Sequence, residues 1–414
     1  MKKPEYGWIV CGACAMVLFC TNGLATTGFA AYQPYFISVG GLSNTQASSL
    51  LTIRQLLGAV VISLIPRLTR LFRLRTMAVS GMLACGSSFV LYGLSRSYPG
   101  YCIGAAFAGI GYGLSGTVLI TTIISRWFNE HRGLAMGICM AATGLSATVA
   151  TPYITAMVRS TTLKKTFIVE GVFIFVLAVL VCMLLREQPD RIHTYPVGEV
   201  HEAVAQAFAR HSPAPKLYYR LIVGYFLVSF VGIVLHPHLS VLFKTSGFTD
   251  AEVSWFLSTS GIAILLGKCM YGELADKIGT YRATWILYGL LALGISTSCV
   301  SAVSGSFLLA ETSMVLMGLG LPIGSLSLPL YSAAISVEGQ YTKTVTQLHL
   351  MTTLGGLAFG VVPGMIADHT GSYLPAFVLM LVTCIVCAVL LQSTYLAIRR
   401  GDLWRSNTHR PSDD

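Results

Sequence analysis

Charge is what this chain has least of. Only 11% of its 414 residues are Asp, Glu, Lys or Arg, while 54% are hydrophobic. Soluble domains carry roughly 25% charged residues. So small a supply cannot cover a water-facing surface, which makes lipid the expected solvent. Polar stretches are scarce as well. The longest, about 187–218, is too short for a soluble catalytic domain. Within this chain there is no room for an ATP-binding domain, so a gradient is the expected energy source. A phosphate-binding loop is missing too: Gly318-Leu319-Gly320-Leu321-Pro322 lies in an apolar run, without the strand–turn–helix context or the Lys-Ser/Thr ending. Acidic residues are absent from the middle of every apolar run. Glu170 and Glu311 come closest, and both fall in outer turns.

What the chain does have is a positive balance, +10 at neutral pH. The basic residues sit in short loops between apolar runs, not on one basic domain, which argues against nucleic acid as a partner. Eleven cysteines all lie in apolar stretches. Cys11/Cys14 and Cys384/Cys387 have C-x-x-C spacing, a redox or metal signature in other contexts. Here small apolar residues packing between helices is the preferred reading.

Apolar runs of about 20 residues are candidate membrane spans. Twelve are expected, at about 8–30, 46–66, 77–95, 101–125, 134–157, 166–186, 219–243, 252–272, 283–303, 307–334, 344–366 and 374–396. The first follows Lys2 and Lys3 but is too long for a signal peptide and lacks a cleavage site. With the N-terminus inside, cytoplasmic segments hold twenty of the 27 basic residues, among them Arg67, Arg70, Arg73 and Arg75. The outer loops hold Arg96, Arg159, Lys164, Lys165 and Lys244. Both termini are therefore expected in the cytoplasm. The polar segment contains Pro189, Pro196, Pro213 and Pro215 and divides the chain into six plus six spans. The expected parts are a first bundle at 1–186, a central cytoplasmic loop at 187–218, a second bundle at 219–398 and a tail at 399–414. Residues 199–210 are read as linker, with a short surface helix as the alternative.

One local sequence gives this organisation a family resemblance. Gly272-Glu273-Leu274-Ala275-Asp276-Lys277-Ile278-Gly279-Thr280-Tyr281-Arg282 resembles the loop signature of the major facilitator superfamily, G-x-L-A-D-[RK]-x-G-x-x-R. The matching loop after span two, Pro66 to Arg75, has no Asp and neither glycine. Arg126-Trp127-Phe128, Arg132-Gly133-Leu134-Ala135-Met136-Gly137, Ala367-Asp368-His369-Thr370-Gly371 and Tyr6-Gly7-Trp8 resemble one branch in particular. That branch holds the monocarboxylate transporters and the bacterial oxalate/formate exchangers. The resemblance implies an all-α membrane fold of two pseudo-symmetric six-helix bundles. It implies a gate latch built from Gly272, Asp276, Lys277, Gly279 and Arg282. It also implies alternating-access transport of a small carboxylate coupled to protons, by a monomer in the inner membrane, with no cofactor.

Ionisable residues deep in a span cost about 2.5 kcal/mol or more and mark function by default. Two cations qualify: Arg54 in span two and Lys268 in span eight. Both suit an anionic substrate, and the expectation is that both contact it. For Arg54 the competing reading is a structural Arg bonded to carbonyls of a neighbouring helix. For Lys268 it is a Lys snorkelling to the interface. In the resembling branch a basic residue, usually Arg, stands four positions before the first glycine of the loop signature and binds the carboxylate. Lys268 occupies that position. The branch also places a proton-carrying Asp four residues earlier still, where this chain has Ile264. His236 and His349 are candidate polar or proton-handling groups, and His238 a weaker one; His236 and His238 flank Pro237. Tyr112, in Gly111-Tyr112-Gly113, is a candidate carboxylate donor. Tyr32 and Gln33 are weaker candidates that also read as loop residues. Gly318, Gly320, Gly324, Gly355, Gly356 and Gly360 suit close helix approach. A receptor that has lost transport and a membrane-embedded enzyme are the competing classes; no deep nucleophile or metal cluster supports the second.

Overall fold

The computed structural model describes residues 6–28, 32, 35–36, 39–187, 214–337 and 339–408. Among these residues there is helix and no strand. Gln33, the linker or alternative surface helix at 199–210, most of the central loop and the end of the tail lie outside the described residues.

Eleven helical stretches are long and apolar enough to cross a membrane. In the first unit they are span one (Tyr6–Ala25), span two (Ser49–Leu71), span three (Leu74–Leu94), span four (Tyr98–Trp127) and span six (Leu163–Leu184). In the second they are span seven (Pro215–Thr245), span eight (Ala251–Ile278), span nine (Thr280–Ser304), span ten (Phe307–Ile335), span eleven (Tyr341–Thr370) and span twelve (Leu374–Arg400). The fifth helix, span five, expected at 134–157, is Arg132–Ser160 and is not among those eleven. It is rich in Thr, Ser and Gly, but its 29 residues reach about 43 Å, enough to span. The chain divides into two compact units, Met1–Gly198 and Glu199–Asp414.

Several spans are interrupted, and the sequence explains where. Span one turns from α-helix into a π-helical segment, Phe19–Gly28. Span seven does the same at Phe230–Val234, just before Pro237. Proline has no N–H to give to the carbonyl four residues back. The His238 ring donates from Nδ1 to the Val234 carbonyl at 2.8 Å. Span four breaks at Gly116, span ten at Leu321 and Pro322, and span eleven at Gly360 and Val361.

The expected loop from Pro66 to Arg75 is a correction. Span two runs as helix through Pro66 to Leu71, leaving only Phe72 and Arg73 before span three. The turn after span eight is tighter still. Helix Asp250–Ile278 passes to helix Thr280–Ser304 through Gly279 alone, at φ +84° and ψ 150°. That conformation is essentially open only to glycine, which explains the residue at that point of the signature.

At one end of the first unit the motif aromatics meet. Tyr6 packs on Trp127 at 5.7 Å and Trp8 on Phe128 at 5.1 Å between ring centroids. The Trp127 indole donates to the Arg186 carbonyl and the Tyr6 hydroxyl to the Leu184 carbonyl, each at 2.9 Å. Two sequence-distant motifs thus fasten spans one, four and six together. Away from these contacts, Val172, Val176, Val179 and Met183 give span six an exposed apolar face suited to lipid.

Candidate substrate-binding site

Three charged side chains are buried among the described residues: Arg54, Glu170 and Lys268. The two cations fall one in each unit, both well inside a span.

Arg54 is 5% exposed. Its Nη1 donates to the Ala25 carbonyl at 2.6 Å, an acceptor on the π-helical segment of span one. A π-helix displaces carbonyls from the regular i→i−4 ladder and is often found at functional sites. The structural role considered for Arg54 is therefore present in the geometry, beside any role toward substrate. Tyr112, Tyr92 and Cys85 are its electrostatic neighbours. Arg54 and Tyr112 come together because spans two and four touch through glycines. A methyl group on Gly109 would sit 2.5 Å from the Arg54 carbonyl oxygen, and one on Gly58 2.9 Å from the Tyr112 ring. Asn22 of the π-helical segment donates to Thr117 Oγ1 at 3.1 Å, just past the break in span four. Spans one, two and four are thus tied by polar contacts around Arg54.

Lys268 is 8% exposed. Helix continues for ten residues beyond it to Ile278, about 15 Å along the axis, so it does not snorkel to the turn. Spans eight and ten approach closely beside it: a methyl on Gly267 would lie 2.8 Å from the Leu319 carbonyl oxygen, and one on Gly318 2.5 Å from Ala263 Cβ. Ile264, at the position of the branch's Asp, has its backbone nitrogen pressed against Gly318.

His236 is brought to span eight, where its Nε2 lies 3.1 Å from the buried Ser260 Oγ. Ser260 stands two helical turns before Lys268. His349 is half-buried in span eleven, one turn from Thr353, whose hydroxyl donates to the His349 carbonyl at 3.0 Å. Tyr32 is no loop residue: it is fully buried and stacks on Phe167 at 4.4 Å. In the gate signature Gly272 is buried, while Asp276, Lys277 and Arg282 are exposed. Lys277 pairs with Glu273 one turn back at 2.6 Å. The C-x-x-C spacing does not produce the close sulfur pair; Cys11 lies 3.7 Å from Cys139 of the fifth helix instead.

Sequence reasoning missed Tyr92 and the Ala25 carbonyl as neighbours of Arg54, and it set Glu170 aside. For the first two no sequence signal exists, since they depend on helix contacts. For Glu170 the signal was its isolation among apolar residues.

The fold and these buried polar sites define a multi-pass membrane transporter, not an enzyme. The chain matches the Major Facilitator Superfamily over residues 15–244 and 221–411, and it belongs to that family. Monocarboxylate transporter 12 of Rattus norvegicus is 20% identical over 437 residues, covering 95% of this chain and 86% of that protein. The oxalate:formate antiporter of Oxalobacter formigenes is 22% identical over 223 residues, 53% of this chain and 51% of its own. These relatives agree with the branch to which the motifs pointed. The solved structure of the proton:xylose symporter XylE matches with a TM-score of 0.71 at 16% identity, covering 93% of this chain and 95% of that one. That likeness concerns the fold.

Proposed function

We propose that this transporter carries small monocarboxylates of the lactate and pyruvate kind, together with a proton, by alternating access. The observation that carries the reading is the pair of buried cations, one in each unit. A cation buried in a low-dielectric interior attracts an anion, and binding one offsets part of the cost of burial. Lys268, at the branch's carboxylate-binding position, is the principal substrate contact. Arg54 and Tyr112 form the corresponding polar site of the first unit, with His236 and His349 as further polar groups. Gly272, Asp276, Lys277, Gly279 and Arg282 form the gate turn, in which Gly279 permits the one-residue reversal. The protein works as a monomer in the inner membrane with both termini in the cytoplasm.

A second reading, exchange of carboxylates such as oxalate and formate, draws on one specific observation: Ile264 stands where the branch carries its proton-binding Asp. Uptake and counterflow of labelled lactate, pyruvate, formate and oxalate into proteoliposomes separate the two. Lactate and pyruvate accumulation driven by an imposed proton gradient supports the first reading. Oxalate or formate exchange without such accumulation supports the second, and no saturable transport of any of the four contradicts both.

A further inference from the structure

Glu170 is the only buried acid among the described residues, at 3% exposed. Neither of its carboxylate oxygens meets a hydrogen-bond partner. It stands in span six, seven residues past Leu163, about 10 Å inside the helix. It lines a cavity of about 220 Å³ with Phe19 and Leu24 of the π-helical segment, Tyr153 of the fifth helix and Phe173 of its own. The titratable groups that face it are two phenols. Tyr32 is fully buried with its hydroxyl facing the Glu170 carboxyl, and Tyr153 lines the same cavity. From span three, packed against the same stretch of span six, Gly86 and Val90 approach. No cation lines the cavity.

An ionised carboxylate with a phenol beside it but no cation costs several kcal/mol in such a place, while the neutral acid costs far less. The site therefore suits a proton. It is also mechanically close to the anion site of the first unit. Leu24 lines the cavity, and the next residue, Ala25, offers its carbonyl to Arg54. Adjacent residues of one π-helical segment thus line the Glu170 cavity and accept from Arg54.

We propose that Glu170 is the proton-carrying group of this transporter, linked to Arg54 through the segment Phe19–Gly28. The carboxylate takes up one proton to become the neutral acid and releases it on the opposite face in the same cycle. With one monocarboxylate anion per turnover, the translocated charge is then zero. This supplies the acid that Ile264 does not, and it rests on the proposed proton-coupled carboxylate transport.

Two measurements on the full chain in proteoliposomes test it, one independent of transport. Infrared spectra across a pH titration read the C=O stretch of protonated carboxyl groups. The expected result is a band that persists after the exposed carboxylates have ionised, and that Glu170→Gln removes. A band unchanged in Glu170→Gln, or none in the parent, overturns the assignment. In transport, Glu170→Gln is expected to lose lactate accumulation under an imposed proton gradient while lactate counterflow falls by less than about tenfold. Accumulation equal to the parent's also overturns it. Loss of counterflow together with the band, restored by Glu170→Asp for both, keeps the proton on Glu170. The same loss without restoration of the band overturns it. A parent that moves none of the carboxylates fails the proposed function, and the infrared band then decides Glu170 alone.

Discussion

A cation held in hydrocarbon needs a reason to stay charged, and Arg54 and Lys268 meet that need differently. Arg54 already gives one N–H to the Ala25 carbonyl and has further donors in its rigid fork. Arg54→Lys keeps the charge but loses the fork, so both transport and the packing of span one should suffer. We expect the melting temperature in detergent to fall by several degrees, equivalent to about 1–3 kcal/mol for an unsatisfied carbonyl. An unchanged melting temperature would show that the Ala25 contact is not structural. Lys268, the proposed carboxylate contact, is a point charge, and here the tests separate charge from geometry. Lys268→Ala should cut kcat/KM for lactate at least tenfold, about 1.4 kcal/mol of transition-state binding. Lys268→Arg should keep more than half of the counterflow rate, because the charge remains. Both cations were legible in the sequence, since an isolated basic residue in an apolar run is conspicuous. Their partners were not. The Ala25 carbonyl, Tyr92 and Cys85 carry no signal until helices are packed. Glu170 was visible, but its distance along the chain from an expected loop said nothing about how completely its carboxylate is enclosed.

The elements were legible wherever hydropathy decides. Eleven of the expected spans appear as long apolar helices, and span five as the Arg132–Ser160 helix. Their interruptions were only partly legible. Pro237, Gly116 and Pro322 mark breaks by their chemistry, whereas the π-helical segment Phe19–Gly28 contains no proline and depends on contacts with neighbouring spans. Pro66 points the other way: it sits inside helix, because spans outlast the hydrocarbon core and a helix end can tolerate a missing N–H. Helix approach gives its own test. Gly109 is the contact at which span four meets the Arg54 carbonyl, so Gly109→Val has no room for its side chain. It should separate spans two and four, cost about 1–3 kcal/mol, and disturb Arg54 and Tyr112 together. Wild-type melting and transport in Gly109→Val would contradict the packing. The fifth helix can be placed chemically: a membrane-permeant oxidant should join Cys11 to Cys139, whose sulfurs lie 3.7 Å apart, and leave Cys14 reduced. Mass spectrometry of peptic fragments reads the pairing, and a Cys11–Cys14 product would refute it.

For the whole molecule, two compact units and a superfamily match over most of the chain give the transporter class. The substrate rests on fewer residues. Composition excluded a soluble enzyme at once because so few charges cannot clothe a water-facing surface. The proposed choice among anions rests on the neighbours that packing gives each buried cation, and no periodicity in a sequence encodes that. The proposed proton coupling rests on one carboxylate, Glu170, whose surroundings come from three different helices. The most direct test of the carboxylate reading is counterflow of labelled lactate into proteoliposomes preloaded with unlabelled lactate, comparing the parent with Lys268→Ala. The account predicts saturable counterflow in the parent, suppressed by external pyruvate, and a loss of at least tenfold in the variant. Absence of saturable counterflow in the parent, or equal rates in the two proteins, would contradict it.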